Sequence, residues 1–269
     1  MEQKDYPLVP AANEQTMLYT AGAIRAALQD LTTALNGLAE LPGAAEGPFA
    51  QQAAMALRSV YRLQRTAGEL ELFAQLRAGT YPLRRSRIEL TVALIELCGE
   101  LGELLETAGI ELRLRMPKRD VEVCLDWPLT AALLRELVTN AAADAGDGTV
   151  EVELCVDSPD RVRFTVRNRP AEPLPEPLFH RHAAERSEGF EGLGLGLSLV
   201  SAGAACQKGS FLISVEESGE LAAVLSLPVG AGRDAELHSQ RHGLIDCDEN
   251  LIALSPVLPN ELFRLEDLL

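Results

Sequence analysis

Basic residues and histidine are both scarce in this chain, and the shortage of basic residues excludes whole classes of function. The 269 residues include 24 Lys and Arg against 40 Asp and Glu, so the formal net charge is −16. Because binding to nucleic acid or to anionic lipid requires basic surface, this charge argues against a nucleic-acid-binding protein and against docking on a membrane. It does not argue against a local pocket for one nucleotide. Only four residues are histidines, and all of them lie beyond residue 179.

Long apolar runs, a signal peptide and cysteine clusters are also missing. No stretch of about 20 apolar residues occurs, and residues 1–15 lack the basic segment and apolar core of a secretory signal. The five cysteines are scattered without CxxC or Cys/His spacing, which argues against a zinc site and favours reduced thiols. His238 and His242 are four residues apart, but no third metal ligand accompanies them. We therefore expect a soluble, cytoplasmic protein.

Two heptad patterns occupy the N-terminal part of the chain. Apolar residues alternate spacings of three and four from Ile24 to Leu38 and again from Ala53 to Ala74, with glycine and proline between the two runs. Two such helices joined by a short loop form an antiparallel hairpin. A lone hairpin leaves much of its apolar stripe uncovered, so two hairpins are expected to pair as a four-helix bundle in a homodimer. The alternative is a hairpin packed on its own C-terminal domain.

The rest of the chain mixes helices with alternating strands. We predict helices over 86–109, over 128–144 and from about 195, and strands over 110–116, 121–125, 149–157, 161–168, 210–218 and 221–229. This order indicates an α+β fold, a sandwich with helices on one face of an antiparallel or mixed sheet. The acidic tail from 230 to 269 is too apolar for a solvated segment, so it is expected to pack on the core domain or on a dimer mate.

Two segments carry residues suited to chemistry. In LLRELVTNA (133–141), Glu136 and Asn140 share one helical face, because they are four residues apart. A carboxylate and a carboxamide that project together suit a hydrated Mg²⁺ and its phosphates, since Mg²⁺ prefers oxygen ligands. In GLGLGLSLV (192–200), three alternate glycines remove side chains where a backbone approaches a ligand: Gly192, Gly194 and Gly196. The helix that follows them presents N–H groups to phosphate oxygens.

Together these segments resemble motifs of the histidine-kinase branch of the gyrase, chaperone, histidine-kinase and mismatch-repair ATPases. ELVTNA (136–141) looks like the N-box of that family, the glycine-rich segment looks like its G2 box, and LFHRH (178–182) resembles its F-box. The upstream hairpin resembles the dimerisation domain of sensor kinases. The resemblance implies four parts: an N-terminal arm (1–14), a dimerisation hairpin (15–82), an ATP-binding domain (86–229) and a C-terminal extension (230–269).

The resemblance also implies roles for single residues. Asn140 would hold Mg²⁺ beside ATP, and Glu136 would act as the catalytic residue near the phosphates. The three glycines of the second segment would shape the site around the triphosphate. Asn168 stands in the stretch where the family has the G1-box Asp that reads the adenine amino group, so it is the residue expected to contact the base. A response regulator or another signalling protein is the implied partner.

Departures from the family pattern predict a degenerate kinase. Residues 166–170 contain neither the Asp nor the Gly of the G1 box, and Asp144 follows the N-box where the family has a basic residue nearby. Sensor kinases phosphorylate a His on the first hairpin helix, but the matching position falls near Ala26 or Ala27. We therefore predict an ATP-binding protein that does not phosphorylate itself. The alternatives are a kinase that acts on a partner in trans and an interaction module without nucleotide.

Overall fold

Two long helices open the fold. The computed structural model describes residues 11–39, 47–172, 195–230 and 247–263. Helices α1 (Ala11–Ala39) and α2 (Gly47–Ala78) pack against each other as the predicted hairpin. Helix α1 begins within the stretch expected to be an N-terminal arm. After α2, Gly79 has a φ of +66°, and this left-handed residue ends the helix.

Each hairpin helix buries one half of its heptad seam. The buried half repeats every seven residues: Ala21, Leu28 and Leu35 in α1, and Ala53, Val60, Ala67 and Ala74 in α2. Most of the other half is exposed: Ile24 and Leu31 in α1, and Ala56 and Leu63 in α2, whereas Leu70 is half-buried. Leu63 is 50% exposed. The exposed half-seam is therefore an apolar surface that the described residues leave uncovered.

A five-stranded mixed sheet forms the second half of the fold. Its strands are β2 (Glu111–Arg115), β4 (Ala145–Ser158), β5 (Arg161–Pro170), β6 (Ser210–Val215) and β7 (Leu221–Pro228). The order across the sheet is β2-β4-β5-β7-β6, with β2 parallel to β4 and every other pair antiparallel. Alternate residues of β4 and β5, such as Val152 and Phe164, are fully buried. This arrangement confirms the predicted α+β fold with a mixed sheet.

Three helices cover the sheet: α3 (Leu90–Thr107), α4 (Trp127–Ala143) and α5 (Gly196–Cys206). The prediction of one helix over 86–109 is wrong at its start. Residues Ser86–Glu89 form strand β1, which pairs antiparallel with β3 (Glu122–Leu125) in a separate two-stranded sheet. The carboxylate of Glu89 accepts hydrogen bonds from the amides of Thr91 and Val92, so it caps α3 and fixes its first turn.

The C-terminal tail packs on both halves of the fold. It forms helix α6 (Cys247–Leu254) and a 3₁₀ turn (Asn260–Leu262), which together contact α2, α3 and α4. Leu254, Leu258 and Phe263 are fully buried there. The expectation that the tail packs on the core is confirmed for these residues. Of the helices in the described ranges, none is both long and apolar enough to cross a bilayer.

Candidate functional site

Helix α4 carries two of the predicted site residues. Its start is defined by Asp126, whose buried carboxylate accepts hydrogen bonds from the amides of Leu129 at 3.0 Å and Arg84 at 2.6 Å. Leu133, Leu134 and Leu137 of this helix are buried. The helix therefore sits in a defined rotation, with Glu136 and Asn140 on the same side as Leu133, where α5 packs against it.

Gly196 brings the first turn of α5 onto these two side chains. A Cβ atom built on Gly196 would lie 2.8 Å from Oε2 of Glu136 and 3.4 Å from Nδ2 of Asn140. The shorter distance is less than a side-chain carbon tolerates, so a side chain at this position would have to displace the carboxylate of Glu136. The structure thus brings together three predicted site residues from two motifs that are far apart in the sequence.

The amide of Asn140 lacks a partner among the described residues. Its Nδ2 atom is buried and makes no hydrogen bond within them. Buried polar atoms are nearly always paired, and leaving one unpaired costs about 1–3 kcal/mol. The position of this amide next to the start of α5 fits an oxygen-rich ligand, such as a phosphate group with a hydrated cation.

Glu136 is ion-paired with the hairpin. Arg65 of α2 donates from Nη2 to Oε2 of Glu136 at 2.5 Å, and its Nε lies 2.7 Å from Oε1 of Glu69. The three side chains are each at most 15% exposed. Burial, and after it the negative charge of Glu136, raises the pKa of Glu69 to about 7. One guanidinium therefore serves two buried carboxylates at this point.

Sequence reasoning missed Arg65 and Glu69. The available signal was an Arg and a Glu four residues apart inside an apolar-patterned helix, a spacing that also occurs on many solvated helix faces. What distinguishes this pair is its burial next to Glu136, and Glu136 is 71 residues away from Arg65 in the sequence. Local spacing does not contain that information.

A cavity of about 760 Å³ lies on the hairpin side of Glu136, between α2, α4 and α6. Its walls include Trp127 and Leu72 as apolar surface and the Arg65–Glu69 pair as polar surface. A second ion pair, between Arg135 and Glu249, is also part of the lining. Glu136 faces this cavity.

Asn168 is on β5 and lies beside the C-terminal end of α4. It is 4% exposed on β5, and its Nδ2 donates to the carbonyl oxygen of Asp144 at 3.0 Å. Because Nδ2 is used in this bond, Oδ1 is the amide atom that remains available as an acceptor. The carboxylate of Asp144 accepts from the amide of Ala171 at 3.3 Å. Asn168 therefore presents a neutral acceptor, whereas the family has a charged one.

Some predicted features lie outside the described residues. These are Gly192, Gly194, the F-box-like segment 178–182 and all four histidines. In the ranges that the structure describes, no group of three or more His, Cys, Asp or Glu side chains is placed to hold a metal ion. The described cysteines are free, and burial raises the pKa of Cys98 to about 12, which makes its thiol unreactive.

The fold and the α4–α5 site define a class of protein, the ATPase domain of sensor kinases and their relatives. Residues 127–231 match the family described as histidine kinase-, DNA gyrase B-, and HSP90-like ATPase. The sensor histidine kinase MtrB of Mycobacterium tuberculosis is 32% identical over 162 residues, which are 58% of this chain and 28% of that protein. MtrB of Mycobacterium leprae is 33% identical over 128 residues, which are 45% of this chain and 23% of that protein.

Two solved structures share the fold. Full-length ShkA in complex with AMPPNP has a TM-score of 0.58 at 19% identity and covers 78% of this chain and 46% of its own. The Acinetobacter baumannii histidine kinase AdeS has a TM-score of 0.54 at 14% identity, with coverages of 77% and 95%. Residues 127–231 are thus similar to the ATPase domains of this family, and the chain as a whole is similar to sensor histidine kinases. It spans about a quarter of the length of these MtrB relatives.

Proposed function

We propose that this chain binds ATP and acts as a regulator in two-component signalling without phosphorylating itself. The main observation in favour of ATP binding is the buried amide of Asn140 beside Gly196, which has no hydrogen-bond partner among the described residues. The match of residues 127–231 to the ATPase family and the AMPPNP bound by the structural neighbour ShkA support the same conclusion. The proposed nucleotide site lies where α4 meets the first turn of α5.

The residues present fit a phosphate group with its cation. The amide oxygen of Asn140 would hold Mg²⁺, and its Nδ2 would donate to a phosphate oxygen. The first turn of α5 has no side-chain cap in the part of the chain that the structure describes, and its N–H groups add a favourable dipole for the same anion. Asn168 would accept from the base at the far end of α4. ATP, when bound, supplies a transferable phosphoryl group.

Two features argue against self-phosphorylation. The hairpin helices contain no histidine, so the usual acceptor is missing. Glu136 is held by Arg65 at 2.5 Å in a buried ion pair, so its Oε2 atom is already occupied by the guanidinium. Glu136 is therefore held in an ion pair instead of being free to act as a base.

The exposed half-seam of the hairpin supports a homodimer as part of this proposal. Ile24 and Leu31 in α1 and Leu63 in α2 are between 36% and 50% exposed at heptad positions. A second hairpin would cover such a stripe in a four-helix bundle. A response regulator or another signalling protein is the expected partner, and the family likeness is the support for it.

Titration calorimetry with ATP and Mg²⁺ tests the nucleotide site. We expect micromolar binding to the wild type and at least tenfold weaker binding to Asn140→Ala, because a hydrogen bond to a charged group contributes about 1.5–3 kcal/mol. Gln52→Ala removes an exposed amide from α2 and is the matched control. A wild type that binds no ATP at millimolar concentration would refute the proposal and favour an interaction module.

Incubation with γ-labelled ATP tests the kinase question. We expect no acid-labile, base-stable label on the chain alone; such a label would contradict the proposal. The presence of both Glu136 and Asn140 on one face of α4 favours a second candidate, a kinase that phosphorylates a partner in trans. Label that appears on an added partner and disappears with Asn140→Asp would support this second candidate.

A further inference from the structure

The C-terminal segment 247–263, called the clasp below, is anchored on the hairpin by one arginine. Arg58 of α2 donates three hydrogen bonds to it at 2.9–3.0 Å, two to backbone carbonyl oxygens and one to Oδ1 of Asn260. One turn further along α2, the ring of Tyr61 packs against Phe263 with a centroid separation of 5.5 Å. The clasp is thereby joined to α2 by both charge-assisted and aromatic contacts.

The same segment is anchored on the ATPase domain by a buried amide. Asn250 is 1% exposed and bridges two helices, accepting from Nε of Arg135 on α4 at 2.7 Å and donating to Oε2 of Glu100 on α3 at 2.6 Å. Arg135 also lies 3.1 Å from Glu249. Thr139 of α4 donates to a backbone carbonyl oxygen of the clasp at 3.2 Å.

These two sets of anchors bracket the contact between Arg65 and Glu136. Arg58 lies two turns before Arg65 on α2, and Arg135 and Thr139 lie on either side of Glu136 on α4. Across the cavity between the two helices, Arg65 and Glu136 form a direct ion pair, and α2 also packs against α5, which lies on α4. The clasp is therefore one of the contacts that keep α2 beside α4.

We propose that the clasp is an intramolecular regulatory device that holds α2 beside α4, so that Arg65 stays on Glu136, and that its release separates the two. In the clasped state Oε2 of Glu136 is occupied by the guanidinium of Arg65. In the released state this oxygen loses that partner. The regulatory meaning rests on the proposed function, whereas the clasping itself is a mechanical property that is measured without nucleotide.

The test uses the full chain and its single tryptophan. Trp127 is 2% exposed and lines the cavity between α2 and α4, so acrylamide quenching of its fluorescence reports opening there. Hydrogen exchange over 247–263 reports release of the clasp. Arg58→Ala removes three clasp hydrogen bonds, and Arg62→Ala, one turn along the same helix and exposed, is the matched control.

We expect Arg58→Ala to accelerate exchange in the clasp at least tenfold, since a hydrogen bond to a charged group changes an equilibrium by about that factor or more. Quenching of Trp127 should rise severalfold in the same variant, and Arg62→Ala should match the wild type in both measurements. These outcomes do not depend on ATP, so they separate the failure of this proposal from the failure of the proposed function.

Faster clasp exchange with unchanged Trp127 quenching would overturn the proposal, because the clasp would then hold only itself. Where Arg58→Ala leaves both measurements unchanged, the double variant Arg58→Ala, Asn250→Ala removes one anchor on each side. Unchanged quenching in the double variant, with helix content retained by circular dichroism, would overturn it as well.

Discussion

The shared guanidinium of Arg65 makes stability depend on pH through Glu69. The pKa of Glu69 is raised from 4.5 to about 7 in the folded chain, so between these values the folded state holds a proton that the unfolded chain has lost. The contribution of this group to stability is fully present below about pH 4.5 and is lost as the pH rises through about 7. Each pH unit between these two values changes the free energy of unfolding by about 1.4 kcal/mol. The stability lost over the whole range is therefore about 3 kcal/mol.

The substitution Glu69→Gln isolates this effect. A neutral amide imitates the protonated acid, so the variant should lie within about 1 kcal/mol of the wild type near pH 5 and be more stable by up to about 3 kcal/mol at pH 8. Other charged groups around the cavity, Arg135 and Glu249, are paired with each other at 3.1 Å and remain in both proteins. The difference between the free energies of unfolding of the two proteins at each pH cancels the contribution of the many other acidic groups.

Urea unfolding followed by the fluorescence of Trp127 measures the difference at pH 5, 6, 7 and 8. Glu71→Gln is the matched control, because Glu71 lies two residues further along α2 and pairs with Arg25 at 2.7 Å on a more exposed part of the helix. That variant should show no comparable rise in stability with pH. A difference between Glu69→Gln and the wild type that is flat, or that falls with pH, would refute the reasoning.

Three further predictions concern the rest of the fold. Leu31→Asp should dissociate the proposed dimer in sedimentation experiments, because it places a charge on the exposed half-seam. Gln29→Asp changes an exposed residue of the same helix and should leave the dimer intact. A wild type that sediments as a monomer would contradict the homodimer. Gly203→Ala should cost about 1–3 kcal/mol in urea unfolding, because its Cβ would meet Leu133 Cδ2 at 2.7 Å, and an unchanged midpoint would contradict this. Glu89→Ala should cost about 1 kcal/mol through loss of the α3 cap, and Glu89→Asp should recover part of it.

Much of the fold can be predicted because its signals are local. Heptad spacing identifies the hairpin, alternation identifies the strands of the mixed sheet, and Gly79 and Gly109 end α2 and α3 with positive φ values. The exception, β1, was assigned to a helix because Ile88 continues the apolar spacing of α3. Its strand conformation depends on pairing with β3, more than 30 residues later in the chain.

For the candidate site, the sequence by itself determined the residue types and their local placement. Glu136 and Asn140 share a helical face through a four-residue spacing, and glycine at 196 permits a backbone to approach. Only the tertiary structure decided what meets these residues. Arg65 reaches Glu136 across 71 positions and Arg58 reaches the clasp across 197. Periodicity records which side of an element is apolar, but which buried charges become neighbours depends on how whole elements dock.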